Sequence, residues 1–514
     1  MSATIDSPGA LKLAGQHPIL LGKGMKLNEV VGGLAVGEVL PETEISWVVY
    51  NSRHAVAGSL FVAIQGEKLD GNEFVKDAIA RGSRAVVSQL PRPVSLPGGV
   101  AWVQVPDARK ALAAIAANFF GRPAEKLHLV AVTGTNGKTT TSFLIDSILQ
   151  ASGKQTGLFG TIVHRTPLAS HPAETTTPES LELQGFLSEV VRGGGTHTVL
   201  EASSHALALD RLWGCPFDAA VFTNLTQDHL DFHKTFEDYF AAKRTLFEGT
   251  GAGAPRVGIV NVDDPYGKRL VGLAARTVTY GLESGSQVTT RKFLAQLTGL
   301  EFLAETPAGK IEVRSHLVGR VNVYNLLAAV AAAQALGLSR EAIETGIRGL
   351  RAVPGRFERL LWGQPFEVVV DFAHTDDALR NLTATARELH PGGRLITLFG
   401  CGGERDRAKR PLMGEAAGRA SDVVVLSSDN PRSEDPLLII NDALVGLQRT
   451  PAKVLIEPDR VRAVELAIDE ARPGDLVLLA GKGHETTQVL KDGPIEFDDR
   501  EVAHRALQRR GYGD

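Results

Sequence analysis

Cysteine is scarce in this sequence, with only Cys215 and Cys401 among 514 residues. Two cysteines exclude a disulfide framework and a zinc site built on paired thiolates, so both are expected to be packed or incidental residues. No apolar run approaches the roughly 20 residues that a membrane-spanning helix needs. The N-terminus also lacks the pattern of a secretory signal. These absences favour a cytoplasmic protein.

An excess of charge of one sign is also missing. The formal net charge is −4 at pH 7, from 55 Lys and Arg against 59 Asp and Glu. This balance excludes non-specific attraction to nucleic acid or to an anionic membrane, so an anionic ligand would need local cations. The sequence shows no solenoid repeat and no low-complexity segment. Its length is too great for one hydrophobic core and predicts about two to four domains.

Strands that alternate with helices predict three α/β domains. The first, residues 1–124, is expected to begin with a tail at 1–24 and continues with the strand–loop–helix–strand pattern of GSLFVAIQGEKLDGNEFVKDAIARGSRAVVSQ. The second, residues 125–355, contains strands at LHLVAVTG, THTVLEASS, FDAAVFTNL and RVGIVN. The third, residues 356–514, runs from FEVVVDFAH to DLVLLAG and beyond. Ligands of open α/β sheets bind beyond the carboxyl ends of the strands, so the functional residues are expected in those turns.

One of these turns is typical of a phosphate-binding loop. It lies in AVTGTNGKTTTSFLIDSIL, residues 131–149, between an apolar strand and an amphipathic helix. Its backbone N–H groups and the positive end of the helix dipole would face phosphate oxygens. Lys138 would neutralise β- and γ-phosphate oxygens, and the Thr139 hydroxyl would reach Mg²⁺. The loop is shorter than the usual GxxxxGK[ST], because Val132 occupies the position of its first glycine.

Three further residues are candidates for the same site. Glu201 closes one strand in TVLEASSH, and His229 follows another strand end in FTNLTQDHLDFH, so both could face the nucleotide. A lone Glu or His in a loop is, however, usually solvated. Lys243 lies in the helical stretch DYFAAKRTLF, where periodicity alone favours a surface lysine along an apolar stripe.

An ordered set of motifs resembles the Mur ligase family, whose members use ATP to form amide bonds in cell-wall precursors. The motifs are TGTNGKTTT, EASSHAL, FTNLTQDHLDFH, AAKRTLF, GRVNVYNLLAA, VPGRFE, DFAHTDDAL, GCGGERDRAKRP, DNPRSEDP and GKGHE. They cover the chain from about residue 50 to its end, in the order of the family. The nearest likeness is to the UDP-N-acetylmuramoyl-tripeptide synthetase branch, which adds the third amino acid to UDP-N-acetylmuramoyl-L-alanyl-D-glutamate.

The resemblance implies an architecture and a reaction. The expected domains are an N-terminal α/β UDP-binding domain, a central P-loop ATPase domain with a parallel sheet, and a C-terminal Rossmann-like α/β domain. The expected reaction is ATP-dependent ligation through an acyl phosphate, in peptidoglycan synthesis and hence in cell shape and division. The expected enzyme is a cytoplasmic monomer. Three domains around one cleft also predict hinge closure near residues 125 and 355.

The resemblance also assigns the ATP and metal sites. Thr139 and Glu201 would bind one Mg²⁺ and His229 a second. Lys243 matches a lysine that most of the family carry as a carbamate, which would provide an anionic oxygen ligand derived from CO₂. The predicted catalytic residues are Lys138, Glu201, His229 and Lys243. The predicted ATP-binding residues are Gly134, Thr135, Asn136, Gly137, Lys138, Thr139, Thr140, Asn322, Arg356, Asp371 and His374.

The acceptor would bind between the first two domains. YNSRHAVAGSLFVAIQGEKLDG resembles the uridine-binding segment of the family, including the loop that starts at Gly66. Clusters of Ser and Thr are more often turns or caps, so this assignment depends on the resemblance. The predicted UDP-muramoyl-dipeptide contacts are Ser52, Arg53, Thr176, Thr177, Ser203 and Arg211.

The incoming amino acid would be meso-diaminopimelate, L-lysine or L-ornithine. Diaminopimelate has a second carboxylate at its far end, for which a guanidinium is the natural partner. In the family, DNPR is associated with diaminopimelate and an uncharged residue at the Arg432 position with lysine. Some members with the arginine add lysine or ornithine, so diaminopimelate is the expectation and the others stay open. The predicted contacts are Arg405, Asp429, Asn430, Pro431, Arg432, Gly481 and Glu485, the last for the distal ammonium.

Two other functions stay open at this point. A folylpolyglutamate synthetase-like ligase would bind a pterin instead of UDP, but the N-terminal domain, DNPR and GKGHE argue against it. A non-catalytic nucleotide-binding protein would have little need for Glu201, His229 and Lys243 together. One departure from the family pattern is Asp376 in AHTDDAL, where proline is usual.

Overall fold

The computed structural model describes residues 24–34, 40–66, 69–94, 96–283 and 285–513, and the short strands Thr4–Ile5, Ala10–Lys12 and Ile19–Leu20. These three strands pair antiparallel in a small sheet. The rest of the predicted tail, up to residue 23, lies outside the described residues. The same holds for Glu67 and Lys68 of the predicted uridine-binding loop.

The first large sheet is parallel. Its strands follow the order Trp47–Val49, Ser59–Val62, Ala85–Ser88 and Ala101–Gln104. Helix Ala108–Phe119 covers it and begins at Asp107, whose carboxylate accepts two backbone N–H groups of the first turn. The remaining strands of this region are Met25–Lys26 and Glu44–Ile45, and its other α-helices are Leu27–Val30 and Val75–Ala80. Short 3₁₀ helices lie at Ser52–His54, Gly71–Phe74 and Pro123–Lys126.

The second sheet has eight strands and carries the phosphate loop. Their order is Ser170–Pro172, Val163–Arg165, Thr156–Phe159, His197–Glu201, His128–Thr133, Phe217–Phe222, Val257–Asn261 and Thr277–Tyr280. The last six are mutually parallel, which confirms the parallel sheet expected from the sequence. The helices here are Lys138–Ala151, Ser180–Arg192, Ser204–Ala208, Leu230–His233, Phe236–Glu248, Pro265–Lys268, Arg320–Ala335 and Arg340–Gly349.

Helix Lys138–Ala151 is fixed from both sides. Its apolar residues pack in one core with the sheet and with helices Arg320–Ala335 and Arg340–Gly349. Gly346 makes this approach possible, because a Cβ there would overlap the backbone of Ile148. An antiparallel sheet that the sequence analysis did not predict packs beside these helices, with strands Phe293–Gln296, Gly299–Thr306 and Gly309–Ser315.

The third sheet has the predicted parallel strands and an antiparallel edge strand. Its order is Glu358–Arg359, Glu367–Asp371, Leu476–Ala480, Leu395–Cys401, Val423–Ser428 and Lys453–Ile456. Separate apolar cores cover its two faces. The other elements are helices Asp376–Leu389, Lys409–Ala420, Pro436–Leu447, Arg460–Glu470 and Asp499–Arg509, and the hairpin of Thr487–Leu490 with Gly493–Glu496.

Cys215 and Cys401 are both buried and free. Within the described ranges, no helix is long and apolar enough to cross a membrane.

The carboxyl ends of the second and third sheets contact each other. Lys409 Nζ lies 3.0 Å from Asp228 Oδ1, and Asn136 Nδ2 donates to Asp377 Oδ2 at 3.3 Å. Arg356 Nη2 donates to the Thr139 hydroxyl at 3.4 Å. The turns that were predicted to carry the function therefore face one shared cleft.

Candidate active site

The phosphate loop links strand His128–Thr133 to helix Lys138–Ala151. Gly134 and Gly137 have φ angles of +143° and +86°, which side chains rarely adopt. Lys138 Nζ donates to the carbonyl oxygens of Gly134 at 3.0 Å and Thr135 at 2.8 Å. Burial lowers the pKa of Lys138, whereas the nearby Glu201 carboxylate raises it. Among the described residues, the hydrogen-bond partners of this lysine are thus two carbonyl oxygens of the loop.

Glu201 lies directly beside this loop. Its side chain is buried, and its Oε2 accepts hydrogen bonds from the hydroxyls of Thr139 at 3.1 Å and Thr161 at 3.0 Å. Its Oε1 accepts the backbone N–H of Thr161 at 2.8 Å. A carboxylate and a hydroxyl are hard oxygen ligands of the kind that Mg²⁺ prefers. The predicted pair of Thr139 and Glu201 is therefore brought together with suitable chemistry.

His229 lies at the end of the neighbouring turn. Its φ is +53°, and its Nε2 lies 3.3 Å from Asp228 Oδ2, although the side chain remains 45% exposed. Partial burial lowers the pKa of His229, and Lys138 and Lys243 lower it further against the effect of Asp228. A neutral imidazole is the form that binds metals.

Lys243 is buried, not on the surface. Only 1% of the residue is exposed, and its Nζ donates to Gly134 O at 2.8 Å and lies 4.6 Å from the centre of the Tyr239 ring. The surface position that periodicity favoured is wrong. The spacing of Tyr239, Lys243 and Phe247 in steps of four places the lysine in the middle of the buried face of its helix, a signal that was available in the sequence. Burial and the nearby Lys138 hold the pKa of Lys243 well below its usual range.

These side chains fit one magnesium ion more readily than two. Among the described residues, no three His, Cys, Asp or Glu side chains converge as a metal site would require. Thr139 and Glu201 suit a first ion, but His229 lies near two lysines and would need an additional anionic ligand for a second. A second cation beside Lys243 would need an anionic group in place of the amine.

Four predicted acceptor contacts surround Glu201. The Thr177 hydroxyl donates to Glu201 O at 2.7 Å and to Ser203 Oγ at 3.2 Å, and Arg211 Nη1 donates to Thr177 O at 2.9 Å. The Thr176 hydroxyl lies 3.1 Å from that of Thr161. The structure thus places these residues within reach of the phosphate loop.

The other two acceptor residues, Ser52 and Arg53, belong to the first sheet. They form a short 3₁₀ turn just after strand Trp47–Val49. The preceding Tyr50 donates from its hydroxyl to Glu182 Oε1 of the second region at 3.0 Å. Burial raises the pKa of Glu182 to about 7, and its Oε2 is buried with no hydrogen-bond partner in the part of the chain that the structure describes. Sequence reasoning missed this contact between the two regions.

The predicted amino-acid residues converge at three adjacent strand ends. Arg405 follows strand Leu395–Cys401, the DNPR motif follows Val423–Ser428, and GKGHE follows Leu476–Ala480. Arg432 Nη1 donates to Gly403 O at 2.7 Å. Burial lowers the pKa of Arg432, and the exposed Arg405 lowers it further. Two guanidinium groups that repel each other favour an anion between them.

Comparison with known proteins decides the family. The Mur ligase family catalytic domain matches residues 44–120, the Mur ligase middle domain 132–333, and the Mur ligase glutamate ligase domain 355–483. A curated protein from Solibacter usitatus is 53% identical over 494 residues, which cover 95% of this chain and 99% of that protein. The chain belongs to the Mur ligase family.

Other relatives agree with this assignment. A protein from Geobacillus kaustophilus is 45% identical over 468 residues, which cover 90% of this chain and 94% of its own. Both relatives are named UDP-N-acetylmuramoyl-L-alanyl-D-glutamate--2,6-diaminopimelate ligase. A solved structure of an enzyme with that name has a TM-score of 0.67 and 31% identity, covering 95% of this chain and 100% of the other. The three-domain α/β fold and the resemblance to this branch of the Mur ligases are confirmed.

Several predicted ATP contacts have partners within this Mur ligase. Asn322 Nδ2 donates to Val318 O at 2.7 Å. The Asp371 carboxylate accepts the backbone N–H groups of Phe357 at 2.7 Å and Ala373 at 2.8 Å, so in this structure it organises its own turn. His374 is exposed, and its Nδ1 lies 2.8 Å from a carbonyl oxygen of the same turn. Of the predicted nucleotide contacts from the third region, Arg356 is the one that reaches Thr139.

Lys482 of the GKGHE motif was not among the predicted residues. It is 0% exposed, and its Nζ donates to Asn430 Oδ1 at 2.7 Å, to Glu485 Oε2 at 2.8 Å and to Thr487 O at 2.6 Å. The signal in the sequence was a lysine between two glycines directly after an apolar strand. Its partner Asn430 lies far away in the chain, so the contact itself could not be read from local pattern.

The unusual Asp376 fits its position. It is the first residue of helix Asp376–Leu389, is preceded by the Thr375 cap and pairs with Arg380 at 3.4 Å. Proline is favoured at this position because its missing N–H is not needed there. A carboxylate is favoured as well, since it interacts with the positive end of the helix dipole. The departure therefore preserves the helix start.

Proposed function

We propose that this Mur ligase joins meso-diaminopimelate to UDP-N-acetylmuramoyl-L-alanyl-D-glutamate with the consumption of ATP. The observation that carries the proposal is the likeness, along nearly the full chain, to proteins named for that reaction. The ATP-dependent ligase chemistry agrees with the phosphate loop and with the cleft between the second and third sheets.

Activation of the acceptor carboxylate is the first chemical problem. A carboxylate acylates poorly because its leaving group would be oxide, whereas an acyl phosphate can expel phosphate when an amine attacks. Forming it brings two anions together, so cations must offset their repulsion. Lys138 and Arg356 provide positive charge at the loop. The oxygens of Thr139 and Glu201 would hold Mg²⁺, whose charge screens the phosphate oxygens.

Lys243 is suited to carbamylation. Its lowered pKa favours the neutral amine, whose nitrogen attacks the carbon of CO₂ while one N–H proton is released to solvent. The product carries a negative charge at a position that now carries an amine. It would complete the ligands near His229 and remove the mismatch with a second cation.

The amino-acid end supports diaminopimelate over lysine and ornithine. Arg432 and Arg405 offer guanidinium groups to a second carboxylate, and Glu485 offers an acceptor to the ammonium beside it. Lysine and ornithine lack the second carboxylate that these guanidinium groups would bind. The acceptor residues around Thr177 and the uridine-binding turn at Ser52 support the UDP-muramoyl-dipeptide as the other substrate.

The same proposal covers the assembly and the location of the enzyme. One chain contains every residue assigned to the reaction, which supports a monomer. ATP and UDP-linked precursors are cytoplasmic metabolites, which supports action in the cytoplasm.

A phosphate-release assay tests the proposal. The purified protein is given ATP, Mg²⁺ and UDP-muramoyl-dipeptide, with meso-diaminopimelate, lysine or ornithine in separate reactions. Stimulation by diaminopimelate above the other two is expected, and Arg432→Leu should abolish it while the exposed control Arg449→Leu should not. No stimulation by any amino acid would overturn the ligase proposal, and stimulation by lysine or ornithine alone would overturn the choice of amino acid.

A further inference from the structure

We propose that buried Lys482 sets the hydrogen-bond polarity of the amino-acid pocket, because it forces Asn430 to present an N–H group instead of a carbonyl oxygen to the incoming amino acid. The inference rests on the proposed function, since it takes the pocket of Asn430, Arg432 and Glu485 as the amino-acid site. Lys482 is a positioning residue that acts through Asn430 and Glu485.

The donors around Asn430 determine which way its amide points. Lys482 Nζ and the backbone N of Val489 approach the same atom of Asn430, at 2.7 Å and 2.8 Å. An ammonium and a backbone N–H can only donate, so the atom that they share must be the oxygen Oδ1. The opposite orientation would direct the amide NH₂ at two donors. The chemistry therefore settles an orientation that atomic positions alone leave ambiguous in an asparagine.

The other end of the amide is partly engaged. Asn430 Nδ2 donates to Glu485 Oε2 at 3.1 Å, the same oxygen that accepts from Lys482 at 2.8 Å. In the described part of the chain, the second N–H of Asn430 and the Oε1 of Glu485 have no hydrogen-bond partner. The pocket therefore retains one donor from Asn430 and one acceptor from Glu485.

The backbone explains how a lysine enters this position. Gly481 and Gly483 have φ angles of +112° and +54°, and a Cβ on Gly483 would lie 2.7 Å from the Cβ of Phe372. The turn between them directs Lys482 inward below the pocket. There it also reaches Thr487 O, at the start of the hairpin that supplies Val489.

This polarity matches one amino acid better than the others. The far end of meso-diaminopimelate carries a carboxylate and an ammonium, which pair with the Asn430 N–H and Arg432 on one side and with Glu485 on the other. Lysine and ornithine carry the ammonium alone and would leave the second Asn430 N–H and the Arg432 guanidinium without the carboxylate that diaminopimelate provides. A site that loses a built-in hydrogen-bond partner rejects such an analogue strongly. Lys482 thereby contributes to selectivity without touching the substrate.

The test compares Lys482→Met with Lys482→Arg and with the control Lys491→Met, an exposed lysine of the nearby hairpin turn. The assay gives kcat and KM for diaminopimelate, lysine and ATP. Lys482→Met should raise the KM for diaminopimelate about 10- to 100-fold, which is the effect of losing one hydrogen bond to a charged group. It should reduce the preference for diaminopimelate over lysine while the KM for ATP stays unchanged. Lys482→Arg, which keeps a donor, should retain more of that preference.

The preference for diaminopimelate over lysine shows whether Lys482 positions the pocket or only stabilises the fold. If Lys482→Met folds and keeps the preference of the unaltered protein, the inference is overturned. If it does not fold, Asn430→Asp decides, because it keeps an oxygen for Lys482 and Val489 but replaces the N–H that faces the substrate. That variant must lose the diaminopimelate preference for the inference to stand. An unaltered protein that diaminopimelate does not stimulate would overturn the proposed function, whereas a failure confined to the variants overturns this inference alone.

Discussion

Lys243 and Lys482 are two buried lysines with opposite surroundings. Lys243 lies beside the phosphate loop, is 1% exposed and donates to one carbonyl oxygen, that of Gly134. Lys482 lies below the amino-acid pocket, is 0% exposed and donates to an amide oxygen, a carboxylate and a carbonyl. Within the described residues, Lys243 forms no ion pair, whereas Lys482 pairs with Glu485.

The difference assigns different tasks to the two ends of the cleft. A buried ammonium is unfavourable unless hydrogen bonds and an opposite charge compensate it. Lys243 lacks that compensation, so its pKa falls and its amine becomes available for chemistry. Lys482 has both the hydrogen bonds and the opposite charge, so it can serve as a fixed cation that orients Asn430 and Glu485. The phosphate end is thus suited to covalent change and the amino-acid end to recognition.

Two buried acidic residues, Asp499 and Glu182, differ from each other in the same way as the two lysines. Asp499 is 0% exposed, and its carboxylate oxygens accept from Arg460 Nε at 3.0 Å and Nη2 at 2.7 Å. Glu182 accepts a hydrogen bond from Tyr50, and within the described residues its buried Oε2 has no hydrogen-bond partner. Asp499 thus has a fixed counter-ion, whereas burial of Glu182 favours the protonated form of its carboxyl group.

The largest expected effect comes from breaking the compensated acid pair. Asp499→Ala leaves Arg460 buried without its counter-ion and should destabilise the third domain by about 3–5 kcal/mol. Lys243→Met should lose far less stability, because within the described residues Lys243 has no counter-ion and the variant replaces a buried amine whose charged form burial disfavours. Urea denaturation followed by circular dichroism measures both, with the exposed Asp492→Ala as control. If Asp499→Ala and Lys243→Met lowered the free energy of unfolding equally, the contrast between buried charges with and without a counter-ion would be wrong.

The next effect concerns activity. Lys243→Ala should reduce kcat roughly 100-fold or more, which is typical of removing one electrostatic group from an active site. Formate, acetate or propionate should restore part of the activity by supplying the missing anionic oxygens. The same carboxylates should not rescue Lys482→Met, in which a fixed cation is lost. An inability of every carboxylate to rescue Lys243→Ala would count against the carbamate.

The sequence could predict those parts of the site that are local in the chain. Gly134 to Thr139 form a turn between a strand and a helix, and Glu201 closes a strand, so pattern alone placed them at one edge of a sheet. The burial of Lys243 depends on which face of its helix meets the sheet, which its charge concealed. The contact of Lys482 with Asn430 joins residues 52 positions apart and had no local signal.

The fold shows the same limit. Parallel strands were predicted because apolar strands alternate with helices along the chain, whereas strands Phe293–Gln296, Gly299–Thr306 and Gly309–Ser315 were missed. Their buried and exposed residues alternate over part of their length, and their apolar face depends on packing against distant helices. Asp371 was predicted to contact nucleotide, a role that stays a prediction, because its carboxylate caps its own turn in this structure.

A smaller effect tests the uncompensated acid. Burial raises the pKa of Glu182 from 4.5 to about 7, so the folded state holds a proton that the unfolded state releases between these values. Stability should therefore fall as the pH rises from about 4.5 to 7, by at most about 3 kcal/mol. Glu182→Gln stays neutral and should lose this dependence. Melting temperatures at pH 5 and pH 8 measure it, and an identical decrease in both proteins would exclude Glu182 as the cause.

The smallest expected effect distinguishes a neutral from a charged Lys243 before it reacts with CO₂. Carbamate formation releases one proton from a neutral amine but two from an ammonium. By mass action, a tenfold increase in CO₂ partial pressure should therefore lower the pH midpoint of activity by about one unit for a neutral amine and about half a unit for a charged one. The lowered pKa of Lys243 predicts the larger shift. pH–activity profiles under two fixed CO₂ pressures measure it, with rescued Lys243→Ala as the control that should not respond. A half-unit shift would mean that Lys243 is charged in spite of its burial, and the contrast with Lys482 would then lie in their partners alone.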